Sequence, residues 1–257
     1  AAGLRARGLV PGDRVAVVTP EHRFPADEAA YLQACVIAVV GAALRTGVVP
    51  VPINPLLTAG ERDHIVSDSG ATLVVSDAAD FRALIDHRGP VPELAEWPLG
   101  RPMHYTSGTT GRPKGVYTQS IGEELAEALW RDELDQWGFG PDDVTLVHGP
   151  LCHAAPLRYA MLVLQVGGSA VLPGGFDAPS IARALHEHRP THAFLVPSHV
   201  QRLFALDLPP SPYRLVTHAG AAIPAAVKQQ LPRWAGTEAV WEFYGSTEGQ
   251  FTVCPGA

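Results

Sequence analysis

Short runs rich in β-branched residues alternate along this chain with longer stretches whose apolar residues recur at helical spacing. The short runs predict strands at 14–18, 48–53, 71–76, 144–148, 169–172, 192–196, 214–218 and 240–243. The longer ones predict helices at 26–45, 59–69, 78–86, 120–137, 157–166, 178–188, 198–205 and 225–234. Gly, Pro and Asp punctuate the joins. A strand–helix alternation of this kind implies parallel sheets covered by helices. The expected fold class is therefore α/β, with two mainly parallel sheets flanked by helices. A first lobe is expected over residues 1–137 and a second over 138–257, with the turn-rich run Gly138-Phe139-Gly140-Pro141-Asp142-Asp143 as the seam. The stretch 90–102 is irregular. No internal repeat stands out.

Composition narrows the function classes. At 257 residues, 46% hydrophobic and 18% charged, the chain is an ordinary globular sequence with room for a large core. A net charge of −7 argues against an extended nucleic-acid surface, which needs a basic stripe. Cys35, Cys152 and Cys254 lie far apart, are odd in number and form no C-x-x-C pair. They suggest neither a disulfide framework nor a zinc site, and fit a reducing cytoplasm. Cys152 adjoins His153, but a buried, inert thiol is the commoner state of such a cysteine. The most apolar run, 31–44, is short for a bilayer, so no transmembrane segment is expected. No basic, signal-like segment opens the chain.

Chemistry concentrates in residues 105–116, Tyr-Thr-Ser-Gly-Thr-Thr-Gly-Arg-Pro-Lys-Gly-Val. Gly108, Gly111 and Gly115 allow tight turns and close backbone approach. Thr106, Ser107, Thr109 and Thr110 add hydroxyls, and Lys114 adds a mobile positive charge. Together these are the parts of a phosphate-binding loop. The spacing is not that of a Walker A loop, since Gly115 rather than Ser or Thr follows Lys114. The chain is strongly biased to arginine, and its only lysines are Lys114 and Lys228. A lysine inside this loop is correspondingly informative, because a compact ammonium can follow a moving phosphate. Two further small-residue segments follow predicted strands: Ala219-Gly220-Ala221-Ala222 and Tyr244-Gly245-Ser246-Thr247-Glu248-Gly249. Ligands of parallel sheets bind beyond the carboxyl ends of the strands, so these loops are expected to serve one nucleotide.

Taken in order, these segments resemble the adenylate-forming superfamily of acyl- and aryl-CoA synthetases, peptide-synthetase adenylation domains and luciferases. The likeness covers nearly the whole chain. It includes residues 38–54, the loop 105–116, Pro150-Leu151-Cys152-His153, His218-Ala-Gly-Ala-Ala-Ile-Pro224 and Tyr244–Gly249. It implies a two-step reaction. A carboxylate attacks the α-phosphate of ATP to give acyl-adenylate and pyrophosphate, and the thiol of coenzyme A then displaces AMP. On this resemblance Thr106, Ser107, Gly108, Thr109, Thr110, Gly111 and Lys114 hold the outer phosphates. Gly220, Ala221 and Ala222 wall the adenine, Tyr244 stacks on it, and Gly245 and Ser246 complete the nucleotide segment. Thr247 bonds the α-phosphate, Glu248 holds Mg²⁺, and His153 lies near the reacting carboxylate. The implied catalytic set is Lys114, His153, Thr247 and Glu248.

The same likeness implies sequence that this chain does not carry: a β-barrel part, a hinge and a mobile C-terminal domain. The chain is therefore expected to be a truncated large domain. Its partners are expected to be small molecules, namely a carboxylic acid, ATP and coenzyme A, with a homodimer as the oligomeric expectation. The apolar stretches around 153–165, 194–200 and 219–222 lack a charge to meet an amino-acid ammonium, which points to an apolar acid. Residues 241–249 look most like the fatty-acyl-CoA branch. An aryl-CoA ligase, an acyl-AMP ligase loading a carrier protein, and a non-catalytic nucleotide-binding module remain the alternatives.

Overall fold

Cα positions fall into two compact units, Ala1–Gln136 with Pro150–Ala154, and Trp137–Gly149 with Ala155–Ala257. The structure, a computed structural model, describes residues 1–19, 25–106 and 111–255. The first unit contains α1 (Ala2–Ala6), β1 (Arg14–Val18), α2 (Ala26–Arg45), β2 (Val49–Ile53), α3 (Ala59–Ser69), β3 (Leu73–Val75), α4 (Ala78–Ile85), β4 (His104–Thr106), β5 (Lys114–Val116) and most of α5 (Glu123–Trp137). Strands β2, β1 and β3 form a parallel sheet in that order. Central β1 buries Val15, Ala16 and Val17 completely. Pro50 and Pro52 lie in β2, an edge strand, where a missing N–H is tolerated. Helix α3 begins with a reciprocal capping box between Thr58 and Glu61 and ends at Gly70 with φ 64°. Helix α2 is long and apolar enough to cross a membrane, yet Leu32, Val36, Val40 and Ala43 are fully buried in the unit, as in a core helix.

The second unit contains β6 (Val144–Leu146), α6 (Ala154–Gln165), β7 (Ser169–Val171), α7 (Ala178–His188), β8 (His192–Leu195), α8 (Pro197–Leu203), β9 (Leu215–His218), α9 (Ala225–Ala235), β10 (Val240–Ser246) and β11 (Gly249–Pro255). Its six-stranded sheet has the order β11-β10-β9-β8-β6-β7, parallel throughout except for antiparallel β11 at the edge. One face carries Leu146, Leu195, Val216 and Val240 against Ile181 and Leu185 of α7, Leu203 of α8 and Leu231 of α9. Each such side chain contributes roughly 1.5–3 kcal/mol on burial. The other face carries an aromatic cluster. Phe243 packs on Phe194 and Trp137 at 5.7 and 6.2 Å, and Tyr159 on Phe194 at 6.0 Å. The Thr217 hydroxyl donates to the Tyr159 hydroxyl at 2.8 Å, which satisfies a buried pair.

Polar bonds pin the opposite, amino-terminal edge of this sheet. Asp143, Thr191 and Arg214 each stand one residue before β6, β8 and β9. Asp143 accepts from Thr191 Oγ1 at 2.8 Å, Arg214 Nη2 at 2.6 Å and the Gly140 N–H at 2.7 Å. Burial works against its charge, but these donors prevail and hold the carboxyl below the usual range. Neighbouring His192, fully buried, stacks on Phe139 at 4.4 Å.

Most predicted elements are present. Helices 26–45, 59–69 and 178–188 fall on the predicted residues. Three strands were not predicted. Strands β4 and β5 form a separate antiparallel ribbon within the stretch read as a loop, and β11 makes the signature at residues 244–249 a hairpin rather than a loop after a strand.

Burial pushes His104 and His192 down to about 4 and His148 to about 3, from an ordinary value of 6.5. The unfolded chain protonates these rings near 6.5, whereas the folded chain resists until about 4. Their contribution to stability is therefore intact above pH 6.5 and is lost as pH falls toward 4. Urea unfolding between pH 7 and about pH 4 should show a falling midpoint; a flat profile would contradict the burial of these rings.

Candidate active site

In the first unit a short antiparallel ribbon flanks the glycine-rich segment. In the β4–β5 ribbon His104 faces Val116, Tyr105 faces Gly115 and Thr106 faces Lys114. Thr106 and Lys114 therefore stand opposite each other where the loop leaves and re-enters the ribbon. Ser107, Gly108, Thr109 and Thr110 lie outside the described residues. Gly111 has φ 88°, a left-handed conformation that suits glycine. The Lys114 side chain is exposed and forms no ion pair among the described residues.

Neighbouring bonds hold this ribbon in place. His64 Nε2 lies 3.1 Å from the Pro113 carbonyl, which ties the start of β5 to α3. The Tyr105 hydroxyl donates to Asp68 at 2.6 Å, also on α3, and burial with Asp68 raises its pKa well above the ordinary value. A Cβ at Gly115 would collide with the Met103 methyl and the Tyr105 ring. Glycine there serves close packing of the ribbon rather than the ligand.

His153 enters through a residue that the sequence reading did not single out. Buried His104, on β4, sets its Nδ1 3.1 Å from the Cys152 carbonyl. A carbonyl only accepts, so neutral His104 carries its proton on Nδ1. The bond docks the turn Pro150–His153 onto the strand that ends at Thr106. His153 itself is solvent-exposed, although its ring lies close enough to the protein for desolvation to lower its pKa. Cys152 is buried, in keeping with an inert thiol. The signal for His104 was a histidine two residues ahead of Thr106, whose partner could not be read from spacing.

The second unit holds the other group. Gly220, Ala221 and Ala222 are exposed in the turn between β9 and α9. Gly220 has φ 92°, and a Cβ on it would lie 3.4 Å from Val196. Tyr244, Gly245 and Ser246 belong to β10, Thr247 and Glu248 make the turn, and Gly249 opens β11. Composition had hidden this hairpin, because Gly, Ser and Thr read as loop residues. A Cβ on Gly245 would sit 2.8 Å from the Gly249 carbonyl oxygen, so the hairpin itself requires glycine there. The ladder shifts register at Tyr244/Gly245. Tyr244 is 73% exposed.

Glu248 is oriented locally. The Ser246 hydroxyl donates to its carboxylate, and the Glu248 N–H donates back to Ser246 Oγ at 3.2 Å. The Ser246 bond, helped by the backbone N–H, lowers the Glu248 pKa. A single exposed carboxylate suits Mg²⁺, which takes one or two carboxylates and completes its shell with water and phosphate oxygens. No cluster of three or more His, Cys, Asp or Glu occurs among the described residues.

Known proteins resemble this chain in sequence and fold. The profile of the family described as AMP-binding enzyme matches residues 1–97 and 102–256. The feruloyl-CoA synthase of an Amycolatopsis species is 34% identical over 249 residues, covering 87% of this chain and 47% of the relative. The long-chain-fatty-acid–CoA ligase FadD13 of Mycobacterium tuberculosis is 28% identical over 257 residues, covering 87% of this chain and 48% of the relative. The chain thus spans about half the length of the curated relatives it matches. The crystal structure of ATP-bound MatB from Rhodopseudomonas palustris superposes with a TM-score of 0.73 at 26% identity, over 99% of this chain and 55% of that one. With the glycine-rich loop, the Gly220–Ala222 turn and the tyrosine–glutamate hairpin all inside the matched span, the chain belongs to the AMP-binding enzyme family.

Proposed function

We propose that the protein is an AMP-forming acid–thiol ligase. A carboxylate oxygen of the acid attacks the α-phosphorus of ATP, the bond to the bridging oxygen breaks, and pyrophosphate leaves. The thiol of coenzyme A, losing its proton, then attacks the acyl carbonyl and releases AMP. The observation that carries this reading is the pairing of Thr106 with Lys114 at the mouth of the glycine-rich loop. It supplies a hydroxyl and a mobile charge to a polyphosphate without a protein nucleophile.

Positioning and charge neutralisation suffice for such a reaction. Lys114, with the loop residues Thr106–Gly111, would hold the outer phosphates. Gly220–Ala222 would give adenine a flat wall and Tyr244 a stacking face. Thr247 would donate to the α-phosphate. Mg²⁺, when bound at Glu248, supplies neutralisation of phosphate charge. His153 would orient the acid, with His104 fixing the turn that carries it.

The acid is read as apolar. Greater identity to a feruloyl-CoA synthase than to a long-chain-fatty-acid ligase favours an aromatic acid as the first candidate. The fatty acid expected from residues 241–249 is the second reading.

Four measurements on the intact protein test this function. Exchange of labelled pyrophosphate into ATP should require an acid, and a panel of ferulate, benzoate, octanoate and palmitate names its class; no exchange with any acid leaves a nucleotide-binding module. Transfer to a carrier-protein phosphopantetheine in preference to coenzyme A would change the acceptor. Lys114→Ala should weaken ATP about tenfold or more while sparing AMP, as loss of a charge-assisted phosphate bond requires. Equal weakening of both refutes its assignment to the outer phosphates. For adenine, Ala221→Leu is a cleaner probe than a change at Gly220, whose positive φ strains any side chain. AMP affinity should fall with the unfolding midpoint preserved.

A further inference from the structure

A charged group stands beneath the proposed adenine wall and has no role in the reaction above. Glu242 lies on β10 two residues before Tyr244. Side chains two apart on a strand share a face, and the register shift begins only after Tyr244, so these two share one. Lys228, near the start of α9, donates to Glu242 Oε2 at 2.6 Å. His218 is the direct partner of Glu242 across the β9–β10 ladder. It is 1% exposed, and its Nδ1 lies 4.0 Å from Glu242 Oε1, beyond hydrogen-bond reach. That nitrogen has no hydrogen-bond partner among the described residues.

These residues flank both walls. His218 ends β9 immediately before the Ala219–Ala222 turn, and that turn runs into the helix bearing Lys228. The Lys228–Glu242 bond therefore ties the helix behind one wall to the strand that carries the other. Partly exposed ion pairs of this kind, with side chains 36% and 33% exposed, add little to global stability. A geometric role accounts better for the arrangement than a stabilising one.

We propose that Lys228 and Glu242 form a positioning clamp that sets the separation of the Gly220–Ala222 turn and Tyr244, and so the affinity for adenine. The clamp rests on the adenine assignment made under the proposed function. Neither residue needs to touch the reacting atoms.

Calorimetric AMP titration of the intact protein tests it, using wild type, Lys228→Met, Lys228→Arg, Tyr244→Ala and the double variant Lys228→Met/Tyr244→Ala. Lys228→Met should weaken AMP about fivefold with little change in unfolding midpoint, the scale of one partly exposed pair. Lys228→Arg should restore most of the loss. In the Tyr244→Ala background the same Lys228→Met change should cost little more, because the wall it positions is already gone. Unchanged AMP affinity in folded Lys228→Met, or equal losses in both backgrounds, overturns the clamp. Should Lys228→Met fail to fold, Glu242→Gln breaks the ion pair while keeping shape, and must reproduce the weakening for the clamp to stand. A folded wild type that binds no AMP removes the proposed function and the clamp with it; AMP binding without the coupling removes the clamp alone.

Discussion

Parallel hydrogen bonding among β8, β9 and β10 is the constraint on which the second unit depends. In a parallel ladder every strand leaves by the same edge, so the turns after β8 and β9 and the end of β10 are neighbours by construction. The pairings Leu195 with His218 and His218 with Glu242 fix that edge to the residue. The other edge is closed by Asp143, Thr191 and Arg214, which ties the strand starts with charge-assisted bonds. Anchorage at one edge leaves the opposite edge to the turns, and the small residues Gly220, Ala221 and Ala222 stand there in the open.

The first unit reaches a similar end with less material. Two three-residue strands make a weak ribbon on their own. They are held because α3 grips them twice, through His64 to the Pro113 carbonyl and Asp68 to the Tyr105 hydroxyl, while Gly115 lets Met103 and Tyr105 close against the backbone. The capping box that starts α3 thus bears indirectly on the loop, because it sets where the gripping helix begins.

Much of this was legible in the chain. The helices read from apolar periodicity at 59–69 and 178–188 fall where predicted. The parallel sheets followed from alternation alone. Beyond the short helix α1, which was not predicted, what was not legible shares one physical cause: it depends on pairing between residues distant in sequence. Strands β4 and β5 are too short for a period to show, and β11 follows a run of turn-forming residues. His104 and Glu242 have no local signature, since each matters through a partner that only the folded chain supplies, the Cys152 carbonyl in one case and Lys228 in the other. The roles of Gly115 and Gly245 likewise rest on what lies across the ribbon from them.

The scarcity of lysine turns the chain into its own reporter. Within residues 1–257 only Lys114 and Lys228 offer primary side-chain amines to an acylating reagent. One stands exposed at the loop mouth, and the other is engaged by a carboxylate at 2.6 Å. A single amine-directed label read by peptide mass therefore separates two channels within this stretch. One channel reports on the mouth of the glycine-rich loop and the other on the Lys228–Glu242 pair, with no engineered residue and no dye.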